Sequence, residues 1–161
     1  MIENELSYLV KWLPRLDGLD KKEIEQDYVS DEIEPLRLRK INGRTELSKK
    51  INLSEGDISR RDEFTLPLSA AEYERLRGLS VKRLVKTRYY APLPEGLVAE
   101  IDVFHGTLEG LIMVEVEFGD ESARRSFVPP PWFGRDVSQE TWARNSNLAG
   151  KSFGDIKAKL D

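Results

Sequence analysis

Apolar residues recur at every second position through most of the chain, with β-branched and aromatic types enriched. The runs break at Pro14, Asp17-Gly18, Asn42-Gly43, Glu55-Gly56, Pro92, Pro94-Glu95-Gly96 and Gly106. Eight short strands fit between those breaks, near 2–10, 24–29, 35–41, 44–51, 59–66, 80–90, 97–104 and 111–118. Asn42-Gly43 has the signature of a tight hairpin turn, which pairs the third and fourth strands antiparallel. Helices are few. Ser69-Ala70-Ala71-Glu72 has capping-box spacing and opens a helix to about Arg77, and Asp120 caps another that runs through Phe127. Beyond Pro129-Pro130-Pro131 the pattern turns helical, from Ser138 to about Asn147 and again to Leu160, with Ser152 capping the second of these. A meander of eight antiparallel strands must hide or close its edges. The expected fold is therefore α+β but mainly β: one domain over 1–161, a closed eight-stranded antiparallel barrel with flanking and C-terminal helices.

The polar half of the alternation is ionic. Charged pairs at i and i+2 occur as Glu3/Glu5, Arg37/Arg39, Arg61/Glu63, Lys86/Arg88, Glu100/Asp102 and Glu115/Glu117, with Lys50 on the remaining central strand. Period two places each pair on one face of its strand, and apolar neighbours such as Leu38, Ile101, Val114 and Val116 take the other. A solvated face laced with cross-strand ion pairs, each worth well under about 1 kcal/mol, is the ordinary explanation of any one pair. It does not explain the sorting, with acids on the first and last strands and cations on the third, fifth and sixth. Such sorting suits a polyanion held by cations, with divalent metal clamped by carboxylates.

Composition narrows the chemistry. The 161 residues include 29 acidic and 25 basic side chains, one His and no Cys, for a net charge of −4. Disulfides, thiolate zinc sites, cysteine nucleophiles and His-rich metal sites are excluded, so any metal is held by carboxylates. The acidic start Met1-Ile2-Glu3-Asn4-Glu5 and the short apolar runs lead us to expect a cytoplasmic protein with no membrane partner. The balanced charge supplies no basic field for a nucleic acid polymer.

Taken together, Glu3-Asn4-Glu5, Arg37-Leu38-Arg39, Leu47-Ser48-Lys49-Lys50, Arg61-Asp62-Glu63, Lys86-Thr87-Arg88-Tyr89, Glu100-Ile101-Asp102-Val103-Phe104 and Glu115-Val116-Glu117-Phe118 resemble, in order and spacing, the CYTH domain of the triphosphate tunnel metalloenzymes. Pro131-Trp132-Phe133-Gly134 and Asp136-Val137-Ser138 are similar to the family's loop before its terminal helices. The resemblance implies a tunnel whose charged lumen binds a triphosphate-containing small molecule or inorganic polyphosphate and hydrolyses it with Mg²⁺ or Mn²⁺. It implies Arg37, Arg39, Lys50, Arg61, Lys86 and Arg88 as phosphate ligands, with Arg60 competing for the place of Arg61. It likewise implies Glu3, Glu5, Glu115 and Glu117 as metal carboxylates joined by Asp102, Glu5, Glu115 and Glu117 as the catalytic set, and Glu63 as a lumen partner. Inorganic tripolyphosphate is the default substrate. The other readings inside the same resemblance are a catalytically weak polyphosphate- or nucleotide-binding module, a class IV adenylyl cyclase and a thiamine triphosphatase.

Two positions depart from the family pattern. The first strand of the family reads Glu-x-Glu-x-Lys, and here Ser7 stands where the lysine would be; Lys11 has the right parity but lies about 13 Å further along. Thr65 replaces a further acid found in many members. Outside the strands, His105 reads as a turn or surface residue rather than a catalytic base, and Trp12, Trp132 and Trp142 as packing between barrel exterior and helices.

Overall fold

Period-two alternation becomes strand wherever it was expected. The computed structural model describes residues 2–32 and 34–161, and its barrel strands are β1 (Ile2–Val10), β2 (Asp20–Tyr28), β3 (Arg37–Ile41), β4 (Arg44–Ser54), β5 (Asp57–Leu68), β6 (Lys82–Pro92), β7 (Val98–Phe104) and β8 (Ile112–Glu117). Every pairing is antiparallel. Neighbours run in the order β5-β4-β3-β2-β6-β7-β8-β1, and β1 returns to β5 through Ile2–Asn4 against Asp62–Arg60, which closes the barrel. The β3–β4 turn is the expected two-residue hairpin, with Asn42 at φ 47° and Gly43 at φ 84°. A positive φ at both central residues is the reason Asn-Gly is favoured there.

The helices expected after the capping signals are present: α1 (Ala70–Arg77), where the Ser69 hydroxyl accepts from the Glu72 amide, and α2 (Glu121–Ser126), where Asp120 accepts from the Ala123 amide. The C-terminal expectation needs correcting. An unexpected ninth strand β9 (Phe133–Asp136) adds to β1, and in place of a helix from Ser138 to about Asn147 there is a 3₁₀ turn at Thr141–Ala143 and only four residues of helix, α3 (Asn145–Leu148). Tertiary contacts override the helical pattern. The Val137 amide donates to the Ser7 carbonyl, the Ser7 amide donates to the Ser138 hydroxyl, and Val137 is buried. Those bonds hold the chain extended across β1. Gly134 lies against the Leu9 backbone, where a Cβ would approach to 3.0 Å. Gly150, at φ 80°, breaks the last stretch, and Ser152 then caps α4 (Phe153–Ile156) in a reciprocal box with Asp155.

Two apolar clusters surround the ionic lumen. One lies outside the barrel wall: Ala99, Ile101, Val114, Val116 and Phe118 pack with Tyr8 and Phe133 beneath α2 and β9. The other closes one end. The inward rows of β1, β2, β6, β7 and β8 finish at this end in Leu9, Tyr28, Leu84, Phe104 and Met113, and these pack on Val137, Leu148 and Ile156 of the C-terminal segment. The lumen thus has an apolar floor. Trp142 packs on that floor and Trp132 on the outer cluster, whereas Trp12 is solvent-exposed, contrary to its expected packing role. Among the described residues, no helix is long and apolar enough to cross a membrane.

Candidate active site

Barrel closure turns sorting by strand into sorting around a wall. The strands that carry Glu100/Asp102, Glu115/Glu117 and Glu3/Glu5 are β7, β8 and β1, which are contiguous. Those that carry Arg61, Lys50, Arg37/Arg39, Lys22 and Lys86/Arg88 are β5, β4, β3, β2 and β6, also contiguous. An acidic wall faces a basic wall, with Glu63 and Glu46 as acids inside the basic one.

All six expected cations and the carboxylates Glu3, Glu5, Glu63, Glu100, Glu115 and Glu117 line the lumen. Asp102 lies behind them as their buried partner. The wider chamber, about 210 Å³, is bounded by Glu3, Glu117, Arg39, Glu100, Arg88 and Lys86, with Lys22 and Tyr90 beside them. A narrower chamber of about 70 Å³ shares Glu5, Arg37, Lys50, Glu115 and Asn145 with it and continues past Ser7, Tyr28, Arg61, Ser138 and Arg144. Arg61 takes the lumen place, and Arg60, one residue away, is exposed on the outer face.

The walls meet in close ion pairs. The Arg88 guanidinium grips Asp102 with Nε at 2.7 Å and Nη2 at 2.8 Å, and also reaches Glu100 and, at 2.5 Å, Glu115. Lys86, 1% exposed, donates to Asp102 at 2.6 Å and to the Asn145 amide oxygen at 3.3 Å. At the other seam Lys50 lies 2.7 Å from Glu3, and Arg61 pairs with Glu5. Arg37 bonds the Ser48 hydroxyl and Glu63, each at 2.9 Å, and Arg39 bonds Glu46 at 2.7 Å.

These surroundings push the carboxyls apart. Burial raises Glu115, but Arg88, Lys86, Lys50 and Arg61 outweigh it and hold the group down to about 2. Glu63 is likewise held to about 2, with burial opposed by a hydrogen bond to Glu3 and by Lys50, Arg37 and Arg39. Glu3, Glu100 and Glu117 go the other way. Burial is the main cause in each, reinforced by a neighbouring acid: Glu63 for Glu3, Glu115 for Glu100, and Glu3 and Glu5 for Glu117. Burial lowers Lys86 despite its Asp102 partner.

The acidic wall is crowded. Glu5 sits directly opposite Glu117 in the β1–β8 ladder, and Glu100 opposite Glu115 in β7–β8; like charges in such positions repel. An all-oxygen donor set of closely spaced carboxylates is of the kind a hard divalent cation takes. Among the described residues no group of three Asp, Glu or His side chains is gathered tightly enough to enclose one; Glu3, Glu5 and Glu115 are engaged by Lys50, Arg61 and Arg88. Asp102 is engaged on both oxygens by Lys86 and Arg88.

Besides Lys22, Tyr90 and Ser138, the sequence pattern missed Tyr28, Gln26, Arg144 and Asn145 as lumen residues. Tyr28 and Gln26 extend the inward row of β2 from Lys22 and Ile24; Gln26 donates to the buried Tyr28 hydroxyl at 2.8 Å. Their parity was legible, but the row holds no charged i, i+2 pair to mark it. Arg144 and Asn145 enter from irregular backbone, where no periodicity exists to follow. His105 lies off the lumen, its ring 2.7 Å from the Thr87 hydroxyl, which donates to Glu23.

A closed antiparallel barrel with facing acidic and basic walls defines a tunnel protein with an ionic lumen. No family model matches the chain. It is 37% identical over 151 residues to the inorganic triphosphatase of Nitrosomonas europaea, covering 92% of this chain and 97% of that one. It is 34% identical over 128 residues to the inorganic triphosphatase of Acetivibrio thermocellus, 79% of each. The crystal structure of the inorganic triphosphatase NE1496 matches with a TM-score of 0.68 at 33% identity, over 91% and 93% of the two chains. The chain belongs to the inorganic triphosphatase family.

Proposed function

We propose that the protein hydrolyses inorganic tripolyphosphate inside the barrel with the aid of Mg²⁺ or Mn²⁺. The two-walled lumen carries this reading: a triphosphate needs several cations on one side, and a divalent ion needs several carboxylates on the other. In the ligand-free lumen the walls neutralise each other. Phosphate oxygens of the substrate would take over Arg37, Arg39, Lys50, Arg61, Lys86 and Arg88, and Glu3, Glu5 and Glu115 released from Lys50, Arg61 and Arg88 would, with Glu117, hold the divalent cation. Asp102 stays with Lys86 and Arg88 and fixes their direction. When bound, the metal neutralises phosphate charge and lowers the pKa of water.

Arg37 and Arg39, rigid forks on one face of β3, align the phosphate chain. Glu115, kept ionised by its cationic neighbours, and Glu5 and Glu117 accept hydrogen bonds from a water and orient it in line with the terminal phosphorus. The water oxygen bonds to that phosphorus as the bridging P–O bond breaks, giving orthophosphate and pyrophosphate, and the released proton passes through a carboxylate to solvent. No side-chain nucleophile is required.

The test incubates the protein with tripolyphosphate, ATP or thiamine triphosphate and Mg²⁺ or Mn²⁺. Equal amounts of orthophosphate and pyrophosphate from tripolyphosphate are expected, with loss of turnover on chelation. A rise in melting temperature with tripolyphosphate but no turnover would replace the enzyme by a binding module. Cyclic nucleotide from ATP would replace it by a cyclase.

A further inference from the structure

On the acidic wall the inward row of β1 runs Glu3, Glu5, Ser7, so no cation projects from this strand into the narrow chamber. Arg144 lines that same chamber from the C-terminal segment. Its Nη2 donates to the Asn52 amide oxygen at 2.9 Å, which ties the guanidinium to the inward row of β4. Its Nε is buried without a hydrogen-bond partner, and so is the Nε of Arg61 in the same chamber. No carboxylate within ion-pair distance of Arg144 is present among the described residues, whereas Lys50, Arg61, Lys86 and Arg88 each have one. A buried N–H without an acceptor is costly, and two of them on neighbouring guanidinium groups are an arrangement that an anion relieves.

We infer that Arg144 is a further substrate-phosphate ligand, delivered into the tunnel from outside the barrel, which binds an end phosphate of the linear triphosphate together with Arg61. The inference rests on the triphosphatase reading. Backbone supports the placement. Arg144 immediately precedes α3, whose Leu148 is buried in the apolar floor, and the adjacent Asn145 accepts from Lys86. The segment is thus tied to both the floor and the basic wall. It supplies the charge that β1 lacks at Ser7.

The test is a set of variants assayed for tripolyphosphate turnover and, by calorimetry without turnover, for tripolyphosphate binding. Arg144→Gln retains an amide donor for Asn52 while removing the charge. It is expected to raise both KM and Kd about tenfold or more, the loss expected for one charge-assisted contact, with the melting temperature of the ligand-free protein little changed. Arg144→Lys should recover part of the loss. Ser7→Lys added to Arg144→Gln should lower KM several-fold, because a lysine at 7 reaches the same chamber. A merely structural arginine would show no such rescue. If Arg144→Gln binds and turns over tripolyphosphate as the wild type does, the inference is overturned. If Arg144→Gln is unfolded, Arg144→Lys decides: a rise in both KM and Kd for tripolyphosphate with the melting temperature of the ligand-free protein unchanged supports the inference, and KM and Kd equal to those of the wild type overturn it. A wild type that neither binds nor hydrolyses tripolyphosphate overturns the triphosphatase reading itself, a result distinct from any difference between variants.

Discussion

Asp102 shows what a buried charge does when its oxygens are already used. It accepts from Lys86 and twice from Arg88, and both it and Lys86 are almost fully buried. Asp102→Asn leaves the Lys86 ammonium in the interior without its counter-charge, and removing one partner of such a pair costs about 3–5 kcal/mol. Urea denaturation is expected to show a loss of that order, and metal titration of the folded variant to show an affinity near that of wild type. A many-fold drop in metal affinity would instead return Asp102 to the metal ligands. Glu115→Gln with Glu117→Gln behaves oppositely: metal-dependent turnover is lost while the fold is kept, because Arg88 retains Asp102 and Glu100 as partners and Glu117 is exposed. Calorimetry and phosphate release distinguish the two cases. The same residues show how much of the site was legible. Charges at i and i+2 pointed inward because one face of each strand had to pack, but the adjacent Arg60 and Arg61 both fitted the sequence pattern, and only the register of β5 in the closed barrel turned Arg61 into the lumen. Tyr28, Gln26 and Arg144 carried no such mark, since a neutral row and an irregular backbone have no charge period.

At the level of elements, the strands were legible because alternation has a single structural meaning in a sheet with one packed face, and the Asn42-Gly43 turn fixed a register. Strand β9 was not. Its four residues are too short to show alternation, and what holds Phe133–Asp136 is β1 and the Gly134 contact with Leu9, neither of which is local in sequence. The same non-local bonds at Ser7 and Ser138 displaced the expected helix. The C-terminal pieces are shorter than an isolated helix can sustain and owe their form to the apolar floor they cover. Ending the chain after Asn147 removes Leu148 and Ile156, each fully buried and worth about 2–3 kcal/mol of burial. We expect a loss of more than about 4 kcal/mol in denaturant unfolding and a fall in turnover as Arg144 loses its anchor. Unchanged stability would show that the floor closes without them.

At the scale of the whole molecule, a net charge of −4 conceals an interior in which opposite charges are separated by the closure of the sheet, acids on β7, β8 and β1 and cations on the other five strands. Such a lumen makes stability depend on pH in two directions. Glu3, Glu100 and Glu117 are raised above the ordinary 4.5, so the folded protein binds their protons at a pH where the unfolded chain does not. Their effect is to stabilise the fold as pH falls and to withdraw that stability as pH rises through their folded values. Glu63 and Glu115, held to about 2, act in the reverse sense, and their stabilisation is lost as pH falls from 4.5 towards about 2. The melting temperature of the metal-free protein is therefore expected to pass through a maximum on the acid side of neutrality and to decline in both directions. A divalent cation on the acidic wall offsets both the burial and the acid–acid repulsion that raise Glu3 and Glu117 by favouring their charged forms, so Mg²⁺ should lift the melting temperature more at about pH 8 than at about pH 5. Calorimetric scans across this range at low ionic strength, with and without Mg²⁺, measure both effects. A profile flat between those pH values, or a Mg²⁺ shift larger on the acid side, would mean that the acidic wall is not the seat of the metal.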